Sequence, residues 1–253
     1  MLERFQVPAE DRVYVKEPKA REATEKIFLK MGLSKADATL SADVLMYADI
    51  NGVDTHGVSN MLRMYVRQYG AKELNPRAKP KVVRDSLAAA TVDGDRGLGL
   101  HVAPFCMDLA IEKAEKYGVG SVALLNSGHI GALGYFSLMA AKKDMIGMTM
   151  FGGGGFAMLP TWGAEPRFGT NPLAWAAPAR KMPPFVFDVA TTAVAGNKIY
   201  LLQRMDHPVL PGWLARADGD PIMQETPVPK DHLRGENRQW YMLPTGGTRE
   251  NGS

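Results

Sequence analysis

The sequence has 253 residues, 45 % hydrophobic and 23 % charged, with a net charge of +3 and a single cysteine. That length can bury a substantial core in one large domain or two, and the composition is that of an ordinary globular protein. One cysteine excludes an internal disulfide and a cysteine-based zinc site. No Lys/Arg block is dense enough for a nucleic-acid footprint, and no apolar run approaches the roughly 18 residues that span a membrane.

The N-terminus, with Glu3, Arg4, Glu10, Asp11 and Arg12, lacks the apolar core of a signal peptide, so a cytoplasmic protein is expected. Residues 18–70 read as helical. Pro18 suits a first turn, Ile27 and Met31 share a face with Ala20 and Ala23, and Gly32 makes a stop. Ser34 with Asp37 resembles a capping box for a second helix through Leu40, Val44, Leu45 and Ala48. After Gly52 a third helix carries Met61, Leu62, Tyr65, Val66 and Tyr69. The basic passage Arg77 to Arg84, broken by Pro80, reads as a solvated connection. From about residue 81 short β-rich runs alternate with helices, which argues for an α/β fold. Strands are expected at 88–93, 120–125, 146–151, 173–177 and 185–188, and helices at 98–117, 132–145 and 193–205. Cys106 lies in the first of these helices, where a buried, inert thiol is usual. Beyond Pro208 the chain reads as irregular. The expected division is a helical part over 1–80 and an α/β part over 81–253.

Two segments match the dinucleotide fingerprint G-x-G-x-x-A on paper. Gly152 to Ala157 follows a strand, but Pro160, Gly163 and Pro166 come where a helix must aim its amides at a pyrophosphate. No acidic residue stands about 20 positions on to hold a ribose. Gly118 to Ala123 precedes a strand instead of following one. Neither is a Rossmann site, and there is no Walker A sequence. The run at 152–155 is either a loose turn or a place where a ring or phosphate approaches the backbone closely.

One passage is chemically sharper. A short strand, Val119 to Leu125, ends in Asn126-Ser127-Gly128-His129, and a helical pattern follows. Ligands of α/β proteins collect at such strand ends. An imidazole titrates near neutrality, so His129 can exchange a proton there or can hydrogen-bond the loop as structure.

Four passages in order resemble one family: Asp54-Thr55-His56-Gly57-Val58, Asn126 to His129, Phe168-Gly169-Thr170-Asn171-Pro172, and Phe187-Asp188-Val189-Ala190-Thr191-Thr192. They look like the malate/L-lactate dehydrogenase-like NAD(P)-dependent oxidoreductases, which include sulfolactate and ureidoglycolate enzymes. The resemblance covers residues 18–247. It implies a non-Rossmann α/β cofactor domain with a mixed sheet, a helical N-terminal part serving substrate and dimer, and a homodimer with active sites near the subunit interface. It implies hydride transfer between NAD or NADP and a small 2-hydroxy or 2-keto acid. His129 matches the catalytic proton donor and acceptor, and His56 a histidine of the substrate pocket. Asp188, Val189 and Ala190 match a cofactor-contacting segment, with Gly169, Thr170, Asn171 and Pro172 beside it. Gly152 and Gly153 would contact cofactor through backbone alone. A carboxylate is expected to orient the His129 ring.

The sequence also departs from the family. An arginine that grips the substrate carboxylate is expected four residues after the first histidine, where Asn60 stands; losing a charged hydrogen bond costs about 1.5–3 kcal/mol. Arg63, three residues on, shares that face and either substitutes or is a solvated charge. Relatives continue past the Leu-Pro-x-Gly-Gly region, here Leu243 to Gly247, so the α/β part reads as incomplete at its C-terminal end, with apolar surface exposed. The alternative function is a remnant that dimerises or binds a nucleotide without turnover. A hydrolase using Ser127 and His129 has poor triad geometry. His101 is expected to be structural, His207 and His232 solvated, and Trp162, Trp175, Trp213 and Trp240 packed. No metal site is expected from Asp54, His56 and His129.

Overall fold

The computed structural model describes residues 6–153, 155–228 and 240–246. The chain forms two compact units, one of residues 13–149 and 174–187, the other of 150–173 and 188–253 with the first 12 residues.

The first unit opens on three helices. Helix α1 (Glu17–Lys30) begins with Pro18 in its first turn, where a missing N–H costs nothing. It buries Thr24 and Phe28, while Ile27, expected on the buried face, is 37 % exposed. Helix α2 (Lys35–Ile50) is capped as expected, Ser34 Oγ accepting from the Asp37 amide at 3.2 Å. Helix α3 (Val58–Gly70) buries Met61, Leu62, Tyr65 and Tyr69.

A three-stranded mixed sheet follows. Strand β2 (Ala89–Gly97) pairs antiparallel with β1 (Lys81–Asp85) and parallel with β3 (Ser121–Ser127). All five residues of β1 are exposed, so the basic passage is solvated as expected, but its end is an edge strand and not a plain connection. No alternation of burial marks it, which removes the pattern that strand recognition depends on. Helix α4 (Gly99–Tyr117) makes the crossover between the parallel strands. It lies so close to β3 that a Cβ at Gly120 would come within 1.8 Å of the Ala110 carbonyl oxygen. Cys106 is buried in α4, and burial pushes its thiol up to about 11, as an inert thiol requires. Lys113, also buried, ties α4 to the β1–β2 turn through Asp85 at 2.6 Å and the Ser86 carbonyl at 2.7 Å.

Helix α5 (Gly134–Ala141) is shorter than the expected 132–145; a turn at 142–144 ends it, with Asp144 in the left-handed region at φ 60°. A second sheet has the order β4 (Gly147–Met150), β5 (Leu173–Ala177), β6 (Phe185–Val189). Ser137 of α5 reaches Thr149 at 2.9 Å and the Ala174 carbonyl at 3.3 Å. Met148 and Trp175, at positions alternating with these along their strands, are exposed, as are Phe185 and Phe187.

The second unit has its own core of Val194, Ile199, Leu202, Val209, Leu214, Ile222 and Met242, with Trp213 and Trp240 packed on it. Helix α6 (Gly196–Met205) and a two-stranded antiparallel sheet, β7 (Leu214–Arg216) with β8 (Trp240–Met242), surround it. The region past Pro208 is therefore irregular but contains this sheet. Trp162 is 69 % and Trp175 43 % exposed, so those two tryptophans are not packed as expected. His232, Gly154 and Gly247 lie outside the described residues.

Candidate active site

Two rings meet in the first unit. His56 stands in the turn between α2 and α3, and His129 two residues past the C-terminal end of β3. Their centroids are 5.5 Å apart and their planes 11° from parallel.

Each ring is held from behind. His56 Nδ1 lies 2.8 Å from Thr55 Oγ1, and the Asn60 side-chain amide donates to the Thr55 carbonyl at 2.8 Å. The turn is closed by Asp49, whose carboxylate accepts from the Val58 amide at 3.0 Å. A Cβ at Gly57 would fall 1.7 Å from that carboxylate, so a larger residue there would have to displace the Asp49 side chain. Burial raises the Asp49 carboxyl above the usual range, opposed by the Val58 hydrogen bond and reinforced by Asp54. Burial also pushes His56 down to about 4, so its ring is neutral at physiological pH.

His129 is half-buried. Its Nδ1 receives the Gly131 amide at 3.2 Å and faces the Tyr65 hydroxyl at 2.8 Å. Tyr65 is fully buried, and burial holds its phenol far above its ordinary value, so it stays protonated. The loop itself is fixed to β2: the Gly128 amide donates to the Gly97 carbonyl at 2.8 Å. Asn126 and Gly131 take φ 53° and 74°, left-handed angles that turn the chain off the strand. A carboxylate was expected to orient the ring; at Nδ1 the group is a phenol and a backbone amide. In the sequence Tyr65 falls among the apolar positions of α3. The available signal was that a tyrosine in a buried stripe needs a hydroxyl partner.

Asn60, half-buried, spends an amide N–H on the Thr55 carbonyl. Arg63 is exposed on α3 and has no ion-pair partner among the described residues. At about 100° per residue it stands roughly 200° around the helix from Tyr65. No group of three or more His, Cys, Asp or Glu that could hold a metal occurs among the described residues. His101 is buried, its Nδ1 3.3 Å from Ser41 Oγ, in the structural setting expected of it.

In the second unit the other candidates come together. The Gly153 amide donates to Asn171 Oδ1 at 3.2 Å, and the Phe151 amide to the Pro172 carbonyl at 3.1 Å. The Thr191 amide and hydroxyl both donate to the Thr170 carbonyl, at 2.9 and 3.0 Å, and the Thr245 hydroxyl reaches the Ala190 carbonyl at 3.4 Å. A Cβ at Gly169 would sit 1.7 Å from the Gly153 carbonyl oxygen, whereas one at Gly152 would meet nothing within 4 Å. Asp188 is half-buried and Val189 exposed beside Ala190. Segments 151–153, 168–172 and 188–191 thus form one laced backbone surface with open space at Gly152. Among the described residues no helix follows the glycine run before α6.

Known proteins resemble this chain over most of its length. The malate/L-lactate dehydrogenase family profile matches residues 15–252. The chain belongs to that family. A malate dehydrogenase of Pyrococcus abyssi is 38 % identical over 212 residues, 83 % of this chain and 58 % of its own length. An L-sulfolactate dehydrogenase of Methanocaldococcus jannaschii is 37 % identical over 223 residues, 88 % of this chain and 61 % of its own. The crystal structure of a malate dehydrogenase from Entamoeba histolytica superposes with a TM-score of 0.88 at 33 % identity, covering 95 % of this chain and 66 % of that one. This malate/L-lactate dehydrogenase family chain therefore spans about three-fifths of the length of the curated relatives it matches.

Proposed function

We propose that the chain is the part of an NAD(P)-dependent 2-hydroxy acid dehydrogenase that carries the proton-transfer histidine. The parallel pair of His56 and His129 carries this reading. Reducing a 2-keto acid leaves negative charge on the carbonyl oxygen, and a protonated His129 supplies the proton there. In the reverse direction the neutral ring takes the hydroxyl proton. His56 lines the substrate pocket and, being neutral, adds no positive charge beside an imidazolium. The nicotinamide supplies the hydride when bound.

Support for a cofactor comes from the open backbone at Gly152, next to Gly153 and walled by Gly169, Thr170, Asn171 and Pro172. Asp188, Val189 and Ala190 complete it, in a non-Rossmann manner that needs no helix after the glycines. Either NAD or NADP fits such a backbone cradle. On this reading residues 1–80 serve substrate and dimerisation and 81–253 the cofactor, the protein is a homodimer, and it works in the cytoplasm. Of the two carboxylate candidates only Arg63 is charged, and one Asn60 amide N–H is engaged at the His56 turn. Its case rests on charge alone.

The test is titration of the purified chain with NADH and with NADPH, followed by a 2-keto acid screen of wild type and His129→Ala. Saturable cofactor binding, and turnover that His129→Ala lowers by about 10²–10⁴-fold, is expected. Wild-type turnover in His129→Ala refutes the assignment.

A further inference from the structure

We propose that Tyr65 is the positioning residue of His129, its hydroxyl holding Nδ1 in both protonation states and so setting the pH at which the ring exchanges its proton. The inference rests on the role given to His129 above, and goes beyond it in naming what tunes the ring.

The geometry is specific. The Gly131 amide can only donate, so with Nδ1 accepting it the neutral ring carries its proton on Nε2. In the imidazolium, Nδ1 carries a proton as well and needs an acceptor, which an amide N–H cannot be. The Tyr65 hydroxyl, 2.8 Å away, can be either: donor to the neutral ring, acceptor from the charged one. A carboxylate in that place would favour the charged ring at all times, and an amide alone the neutral one. A phenol serves a residue that must visit both.

Other titratable groups stand on the elements packed around the loop. The turn before α3 brings His56, neutral, and Asp54 two residues back. Helix α4 packs on the loop at Gly99, and its nearby titratable group, His101, is engaged on Ser41 of α2. Helix α5 brings Tyr135, whose ring lies edge-on to Tyr47 of α2. Tyr65 itself is anchored by a fully buried ring in α3 between Leu62 and Tyr69, one turn to either side.

The experiment is a ¹⁵N-imidazole NMR titration of the 253-residue chain as wild type, Tyr65→Phe and Tyr69→Phe. Tyr69 is also buried on α3, but its hydroxyl has no hydrogen-bond partner among the described residues, so it reports the generic effect of losing a buried phenol. Tyr65→Phe is expected to lower the His129 midpoint by about one pH unit, a tenfold fall in the protonated fraction above it. Tyr69→Phe is expected to leave it in place. In wild type, Nδ1 is expected to be the bare nitrogen of the neutral ring, a reading that needs no variant to fold. An unmoved midpoint in a folded Tyr65→Phe protein, or a neutral ring protonated at Nδ1, overturns the inference. A shifted midpoint in a chain that reduces no keto acid upholds Tyr65 and sinks the proposed function instead.

Discussion

Replacing Gly99 by alanine is expected to disturb the His129 loop from a distance. Gly99 opens α4, and an added Cβ would sit 2.2 Å from Ile130 Cγ2, 2.9 Å from the Gly128 carbonyl oxygen and 3.0 Å from that of His129. Carbon atoms in contact need about 3.5–4.0 Å, so the Ile130 methyl must retreat by more than about 1 Å. Ile130 is itself buried and cannot swing into solvent. The two carbonyls must give by a few tenths of an ångström, and one of them is the backbone of the proposed proton carrier. Overpacking of this kind costs about 1–3 kcal/mol. In a chain of this size each kcal/mol lowers Tm by roughly 2–4 °C. Displacing a reacting group by about 1 Å can cost on the order of 10²-fold in rate. Calorimetry and keto-acid turnover of Gly99→Ala measure both effects. Gly70→Ala is the control, because a Cβ there meets nothing within 4 Å and alanine favours the helix. Wild-type Tm and turnover in Gly99→Ala would show that the start of α4 does not brace the loop.

Acid should weaken the fold through His56. Its folded pKa of about 4 lies below the unfolded value of about 6.5, so the unfolded chain binds the extra proton and stability falls as pH drops from about 6.5 towards 4. The loss attributable to this residue is at most about 3–4 kcal/mol. Urea unfolding of wild type and His56→Phe at several pH values should show a shallower decline in the variant; identical slopes would contradict it. Ser34→Ala removes the acceptor for the Asp37 amide at the start of α2 and should cost about 1 kcal/mol, read as a lower urea midpoint at unchanged m.

The parts of the structure with a local cause were visible in the sequence. Ser34 and Asp37 name their own cap, and Leu173–Ala177 is a strand over the expected five residues. Strand β1 was missed because burial, not composition, makes alternation, and none of its residues is buried. Helix α5 was drawn too long because Met145, beyond the charged Lys142-Lys143-Asp144, falls in with its apolar positions, while Asp144 turns left-handed. In the site, His129 was legible from residue type and its place past a strand end, whereas His56 was picked out only by the family resemblance. Tyr65 was not, since its partner is 64 positions away and its ring reads as core. Asn60 was weighed as a substrate ligand because nothing local shows that its amide turns back onto Thr55.

The bond between the Gly128 amide and the Gly97 carbonyl, made between two chain segments already paired as neighbouring parallel strands, fixes the base of the His129 loop before any ligand arrives. The rotational freedom of that loop is given up once, during folding, so an incoming ligand meets a ring already in place and surrenders only its own freedom.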